Sequence, residues 1–163
     1  MNKVKVGYKK SPEKVHIDDR GDQFDGNTCT KTVPFTELTV ALNDLDDSVR
    51  LDAKGLGGSW KALAKGISAR MVGLTGHDKL RGHDGPDDAE GGEGKDTITT
   101  LGGADEIDGG GGKDLIRSGP GADNIDVTDY AKPDEVHCGP GDDTVIAEKA
   151  DDVAADCEDI DLP

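Results

Sequence analysis

"GGEGKDTITTLGGADEIDGGGGKDLIRSGPGADNID" runs from Gly91 to Asp126. A glycine and, two places on, an aspartate recur in it every nine residues: Gly94 and Asp96, Gly103 and Asp105, Gly112 and Asp114, Gly121 and Asp123. An isoleucine stands two places beyond each aspartate: Ile98, Ile107, Ile116 and Ile125. The repeating demand is for a permissive turn, a carboxylate and one apolar side chain.

Most positions of each unit favour a turn, and the last three favour a short strand. Alternation along that strand sends the apolar residue to one face and its two neighbours to the other. The neighbours are Thr, Asp, Glu, Arg and Asn, which suit solvent. Two units therefore make one coil of 18 residues, strand–turn–strand–turn. Coils can stack at about 4.8 Å, each strand pairing with the one a full coil away. The predicted core is a thin ladder of one apolar residue per unit.

The frame extends outward from this stretch. With the glycine placed fourth, units begin at residues 73, 82, 91, 100, 109 and 118. Their fourth residues are Gly76, Gly85, Gly94, Gly103, Gly112 and Gly121, and their sixth are Asp78, Asp87, Asp96, Asp105, Asp114 and Asp123. Their eighth are Leu80, Ala89, Ile98, Ile107, Ile116 and Ile125. Val127 and Thr128 interrupt the frame. A degraded unit follows at 129–137, with Asp134 and Val136, and Tyr130 and Lys132 where the key glycines should be. A good unit closes the series at 138–146, with Gly141, Asp143 and Val145. An outlying unit at 42–50 offers Asp47 and Val49 but has Leu45 in place of glycine. The stretch 55–72 has the length of two units, lacks their aspartates and holds the single Trp60.

Composition agrees with a chain that needs outside help to fold. Formal net charge is −16 over 163 residues, and Leu, Ile, Val and Phe total 32 of them. Such a chain sits at the edge of disorder, because it buries little apolar surface against the entropy of ordering its backbone. Residues 73–146 carry a net charge of −12 and 17 of the 24 glycines. Nucleic acid and other anionic partners are disfavoured by that charge; cations are the natural ligand. No apolar run approaches the roughly 20 residues of a membrane span. Met1–Lys10 has no apolar core, so no signal peptide is expected there, while a trimmed signal or another export route stays open.

Turns rich in glycine can aim several carbonyl oxygens at one point, and the aspartate adds a carboxylate. Stacked turns then form an all-oxygen cage, which suits Ca²⁺ better than Zn²⁺ or Mg²⁺. "GGEGKDTIT" (91–99) and "GGGGKDLIR" (109–117) resemble, at every fixed position, the Gly-Gly-x-Gly-x-Asp-x-apolar-x nonapeptide of RTX, or haemolysin-type, calcium-binding proteins. "SGPGADNID" (118–126) and "CGPGDDTVI" (138–146) miss only the first glycine. "GHDGPDDAE" (82–90) has His second, and "GLTGHDKLR" (73–81) and "TLGGADEID" (100–108) have Leu second.

The resemblance implies an all-β protein, a right-handed parallel β-roll with calcium between turns of alternate units. Asp78 would then pair with Asp96, Asp96 with Asp114, Asp87 with Asp105, and Asp105 with Asp123; Asp134 and Asp143 would add ligands. About six Ca²⁺ would balance the −12 of residues 73–146. The expected organisation is a β-strand leader at 1–39, degenerate coils at 40–72, the calcium-binding roll at 73–146 and a capping coil at 147–163. The resemblance further implies a secreted, bacterial, extracellular module, expected to be a monomer, that folds on meeting external calcium.

Cys138 and Cys157 stand 19 residues apart, close to one coil. Neighbouring coils lie at about 4.8 Å, within the Cα separation a disulfide needs, so Cys138–Cys157 is the expected bridge and Cys29 the unpaired thiol. "CGPGDDTVIAEKADDVAADCEDI" also resembles the C-terminal segment of bacterial RTX-like secreted proteins.

Other motifs have plainer readings. "GGGGKD" (109–114) lacks the Ser or Thr that a phosphate-binding loop places after its lysine. Arg20-Gly21-Asp22 reads as a turn. His77 and His83 read as exposed turn residues, His16 and His137 as surface strand residues. No nucleophile, base and orienting group form a catalytic set, so no enzyme is expected. Two alternatives stand beside the calcium module: a surface adhesin whose outer face binds ice, glycan or protein, with calcium as scaffold, and a fragment of a larger secreted enzyme or toxin. The outward positions carry mixed charges, among them Lys79, Asp88 and Glu106, which disfavours ice.

Overall fold

The computed structural model describes residues 3–7, 14–17, 23–24, 28–30, 37–41, 48–51, 68–129 and 132–163. Among these there is no helix. The chain forms a parallel β-solenoid of about five turns, built from two sheets that alternate along the sequence.

One sheet carries β1 (Lys3–Gly7), β5 (Glu37–Ala41), β7 (Ser68–Gly76), β9 (Asp87–Gly94), β11 (Glu106–Gly112), β13 (Asn124–Asp126), β15 (Thr144–Ile146) and β17 (Asp159–Asp161), in that spatial order. The other runs β16 (Asp152–Val153), β14 (Glu135–His137), β12 (Leu115–Arg117), β10 (Thr97–Thr99), β8 (Lys79–Arg81), β6 (Ser48–Arg50), β2 (Lys14–Ile17), β4 (Thr28–Thr30) and β3 (Gln23–Phe24). Every pairing is parallel except β3 with β4. β1 pairs with β5 and β2 with β6, so each continues a sheet of the roll.

The register confirms the 18-residue coil. Leu80 lies opposite Ile98 and Ile98 opposite Ile116 in one sheet; Ala89 lies opposite Ile107 and Ile107 opposite Ile125 in the other. All six side chains are buried, at 2% exposure or less. The insertion of Val127 and Thr128 lengthens the next coil, so that Ile116 opposes Val136 and Ile125 opposes Val145. Because both sheets absorb the same two residues, the ladder stays in phase. Outward neighbours such as Lys79, Glu106, Asp108 and Asn124 face solvent.

The start of the roll departs from simple counting. Val49 opposes Leu80, and Val40 opposes Met71. One long coil thus separates each pair, and the stretch 55–72 supplies Ser68–Val72 to β7. Residues 52–67, with Trp60, lie outside the described residues, as do Arg20–Asp22 and Asp47.

The last coil is closed by a Cys138–Cys157 disulfide with a Cα–Cα distance of 5.2 Å. Cys157 lies between β16 and β17, the final strands of the two sheets. The open edge is further blunted by Asp159 and Asp161, both exposed; charged side chains there discourage edge-to-edge association.

The ladder makes each rung matter. Ile116→Ala is expected to cost roughly 2–5 kcal/mol, the range for truncating a buried isoleucine. The outward Thr97→Ala should stay within about 0.5 kcal/mol of the parent. Urea unfolding in saturating calcium measures both; equal effects would mean the inward row is not the core.

Candidate metal centre

The turns that join the strands place the aspartates in two columns. Asp78, Asp96, Asp114 and Asp134 precede β8, β10, β12 and β14. Asp87 begins β9, and Asp105, Asp123 and Asp143 precede β11, β13 and β15. All eight are buried, at 2% exposure or less.

One hydrogen bond recurs up each column. The backbone N–H of Asp78 donates to Oδ1 of Asp96 (2.7 Å), and that of Asp96 to Oδ1 of Asp114 (2.8 Å). Asp114 donates in turn to Oδ1 of Asp134 (2.7 Å). In the second column Asp87 donates to Asp105 (2.9 Å), Asp105 to Asp123 (3.0 Å) and Asp123 to Asp143 (2.9 Å). The structure therefore brings together each aspartate pair that the sequence suggested.

This bond uses one oxygen of each carboxylate. The other, Oδ2, is buried without a hydrogen-bond partner at Asp96, Asp105, Asp114, Asp123, Asp134 and Asp143. Buried polar atoms are normally satisfied, so such a repeated exception calls for a ligand. Burial is the main force on these groups. It pushes Asp105 up to about 6, against the Asp87 N–H, with the charges of Asp87 and Asp123 adding to the rise. Asp114 rises to about 7 by burial, with Asp96, Asp134 and Asp129 adding like charge. Burial likewise raises Asp96, Asp123 and Asp143.

Glycine shapes the space around these oxygens. A Cβ on Gly91 would lie 2.4 Å from the Gly109 carbonyl oxygen and 2.8 Å from Asp96 Oδ2. A carbonyl and an unpartnered carboxylate oxygen thus border the same point. At Gly112 (φ 140°), a Cβ would fall 1.5 Å from the Gly94 carbonyl oxygen of the preceding coil. Only glycine allows coils to approach this closely. The second position is less strict in sequence than in shape: Leu74 (φ 78°) and Leu101 (φ 83°) hold the left-handed conformation that Gly92 and Gly110 adopt elsewhere. The donors are all oxygen, anionic or carbonyl, and preorganised by backbone; they fit a hard cation of the Ca²⁺ type.

Asp87 is different. Its Oδ2 accepts the His83 N–H (2.8 Å) and its Oδ1 lies 2.7 Å from His83 Nδ1. His83 was expected to be an exposed turn residue; it is 4% exposed, because it turns inward to meet this carboxylate. Burial raises the Asp87 carboxyl, opposed by the His83 contacts. His77 is exposed as expected, and its Nδ1 accepts the Lys95 N–H (2.7 Å). Sequence reasoning also missed Asp129 and Glu148, which each bring a carboxylate oxygen within 4.8 Å of one on Asp134. Asp129 was visible only as the first residue of a degraded unit, and Glu148 lies beyond the last unit.

The sign of the pH effect follows from the raised carboxyls. In metal-free protein these groups hold protons up to about 6 or 7 when folded, against 3.8 ordinarily. Between those values the folded state binds more protons than the unfolded one, so stability falls as pH rises. In chelator, far-ultraviolet circular dichroism should therefore show more β structure at pH 5 than at pH 7. Equal or less β structure at pH 5 would overturn the desolvation account.

A family model for the RTX calcium-binding nonapeptide repeat (4 copies) matches residues 70–98 and 90–125. Comparison with curated proteins and with solved structures found no match. The matched stretch holds the glycine cradles at Gly91 and Gly112 and three successive rungs of each aspartate column. Residues 70–125 are RTX calcium-binding nonapeptide repeats.

Proposed function

We propose that this chain is a secreted calcium-binding β-roll, without catalytic function, that becomes stable by binding several Ca²⁺, about six, along its two turn columns. The observation that carries the reading is the repeated unpartnered Oδ2, buried on one aspartate after another. The assigned ligands are Asp78, Asp96, Asp105, Asp114, Asp123, Asp134 and Asp143, with backbone oxygens from the turns at Gly76, Gly85, Gly94, Gly103, Gly112, Gly121 and Gly141. Asp87 heads the second column, and its share in a site depends on what His83 yields.

The physics of the switch is simple. Without metal, folding brings carboxylates out of water and stacks like charges one coil apart, which is costly. A bound Ca²⁺ supplies the opposite charge and accepts the unpartnered oxygens. Ion binding to the folded form alone then adds to stability by mass action. A chain with so thin an apolar ladder depends on that addition, and millimolar extracellular calcium suits an open, backbone-rich site of this kind. In this reading residues 1–39 cap the roll, 40–72 are its degenerate coils, 73–146 are its calcium-binding body and 147–163 close it. The protein is assigned to the extracellular space and acts as a monomer.

Two measurements test the proposal. Adding Ca²⁺ to chelator-treated protein should produce a coil-to-β change in far-ultraviolet circular dichroism that equal Mg²⁺ does not produce. Asp105→Asn should lower the number of calcium ions bound per chain by about one or two, because Asp105 borders both Asp87 and Asp123. A β spectrum already complete in chelator, with no bound calcium, would sink the reading.

A further inference from the structure

The repeat frame breaks at 127–137, and a different set of carboxylates gathers there. We infer that Asp129 and Glu148 join Asp134 to complete a divalent-cation site, built from side-chain carboxylates where the glycine cradle of the repeats is missing. The inference rests on the calcium-binding reading above, which assigns Asp134 alone at this corner, and adds two ligands that the nonapeptide frame does not supply.

One oxygen from each of the three residues lies within 4.8 Å of the others. Crowded acids alone would not make a site. The second observation is Asp134 itself, which is 1% exposed and has a buried Oδ2 without a hydrogen-bond partner. Its Oδ1 is engaged by the Asp114 N–H, so Oδ2 is the oxygen left to ligate.

The surrounding bonds hold the trio in place. Asp129 Oδ2 accepts the Gly112 N–H (2.6 Å), which ties it to the preceding coil. Asp151 accepts the Asp134 N–H on Oδ1 (3.0 Å) and the Glu148 N–H on Oδ2 (2.7 Å). One carboxylate thus fixes the two segments that carry the other ligands. Burial, with the like charges of Asp151, Asp129 and Glu148 adding to it against the Asp114 N–H, raises Asp134 to about 6. Lys132 and Lys149 line a pocket with Asp129 and Glu148, but a lysine is a point donor, whereas three converging carboxylates fit a metal ion.

The sequence explains why side chains are recruited here. Val127 is 1% exposed, and a Cβ on Gly109 would lie 3.2 Å from its Cγ1, so an apolar side chain occupies the corner that glycine leaves open in earlier coils. Lys132 replaces the turn glycine of the unit. Loss of both glycines removes the backbone cradle, and Asp129 and Glu148 restore oxygen donors from either side. All-carboxylate chemistry selects a hard cation, Ca²⁺ foremost.

The test counts calcium by equilibrium dialysis on the full chain. Glu148→Gln and Asp129→Asn should each lose about one ion relative to the parent, and the double variant should lose that same ion, not two. Glu106→Gln, an exposed acid on the outer face, should lose none. Unchanged stoichiometry in both single variants, with the parent still binding calcium, would overturn this site and leave the repeat sites standing. A parent that binds no calcium would instead overturn the function proposed above. Should either variant fail to give the calcium-bound β spectrum, anomalous diffraction from terbium-soaked parent crystals decides. A peak between the three carboxylates supports the site; peaks confined to the other aspartates overturn it.

Discussion

The bond from each aspartate N–H to the carboxylate one coil on is the constraint around which the roll is arranged. It fixes the rise between coils at every corner, because a donor on one coil must reach an acceptor on the next. It also fixes rotamers, since a carboxylate bound through Oδ1 has little freedom left for Oδ2. The second oxygen is thereby placed before any ligand arrives. That is preorganisation by backbone, and it explains why the same residue type must return at the same interval. A glutamate would reach too far at most corners, and an asparagine would keep the bond but lose the charge.

Burying so many carboxylates opposes folding, and the apolar ladder is thin. Ile98, Ile107, Ile116 and Ile125 supply one rung each, and Ala89 supplies less. Leu80 and Met71 thicken the core at one end, and Val127, Ala147 and Cys138 at the other. The middle, where the nonapeptides are most regular, is where the corners are emptiest of side chains. Under the proposed function, stability in that region comes from what the corners hold. Fold and ligand are therefore one problem in this chain: the glycines that let coils approach at Gly112 also create the space that carboxylate and carbonyl oxygens surround.

Period, coil length, inward row, aspartate columns and the Cys138–Cys157 bridge were all legible in the sequence, because each depends on residues repeating at a fixed interval. A strand pairs with the strand one coil away, so spacing alone predicts partners. What escaped was aperiodic. His83 reads as a turn residue because a single histidine gives no sign of which way it faces; only the fold shows Asp87 within its reach. Glu148 and Asp151 follow the last unit and carry no repeat signature, yet the lengthened coil brings them beside Asp134. The long coil between Val49 and Leu80 was equally hidden, since length alone cannot separate an insertion in a turn from two degraded units.

A stacking repeat must also end, and the ends are made by residues outside the pattern. At the head of the second column His83 holds both oxygens of Asp87, where no earlier aspartate stands in line to donate an N–H. At the tails the ladder runs one coil past the repeats: Asp134 donates to Asp151, and Asp143 to Glu158 (3.2 Å). Glu158 takes an aspartate's place at a corner reached after a shortened coil, where Val145 opposes Ile160, and its extra methylene spans the difference. The disulfide ties that same coil back to Cys138. Termination is thus achieved by three chemistries, an imidazole, displaced carboxylates and a covalent bridge. Each satisfies a group that the repeat, by its own logic, would leave open.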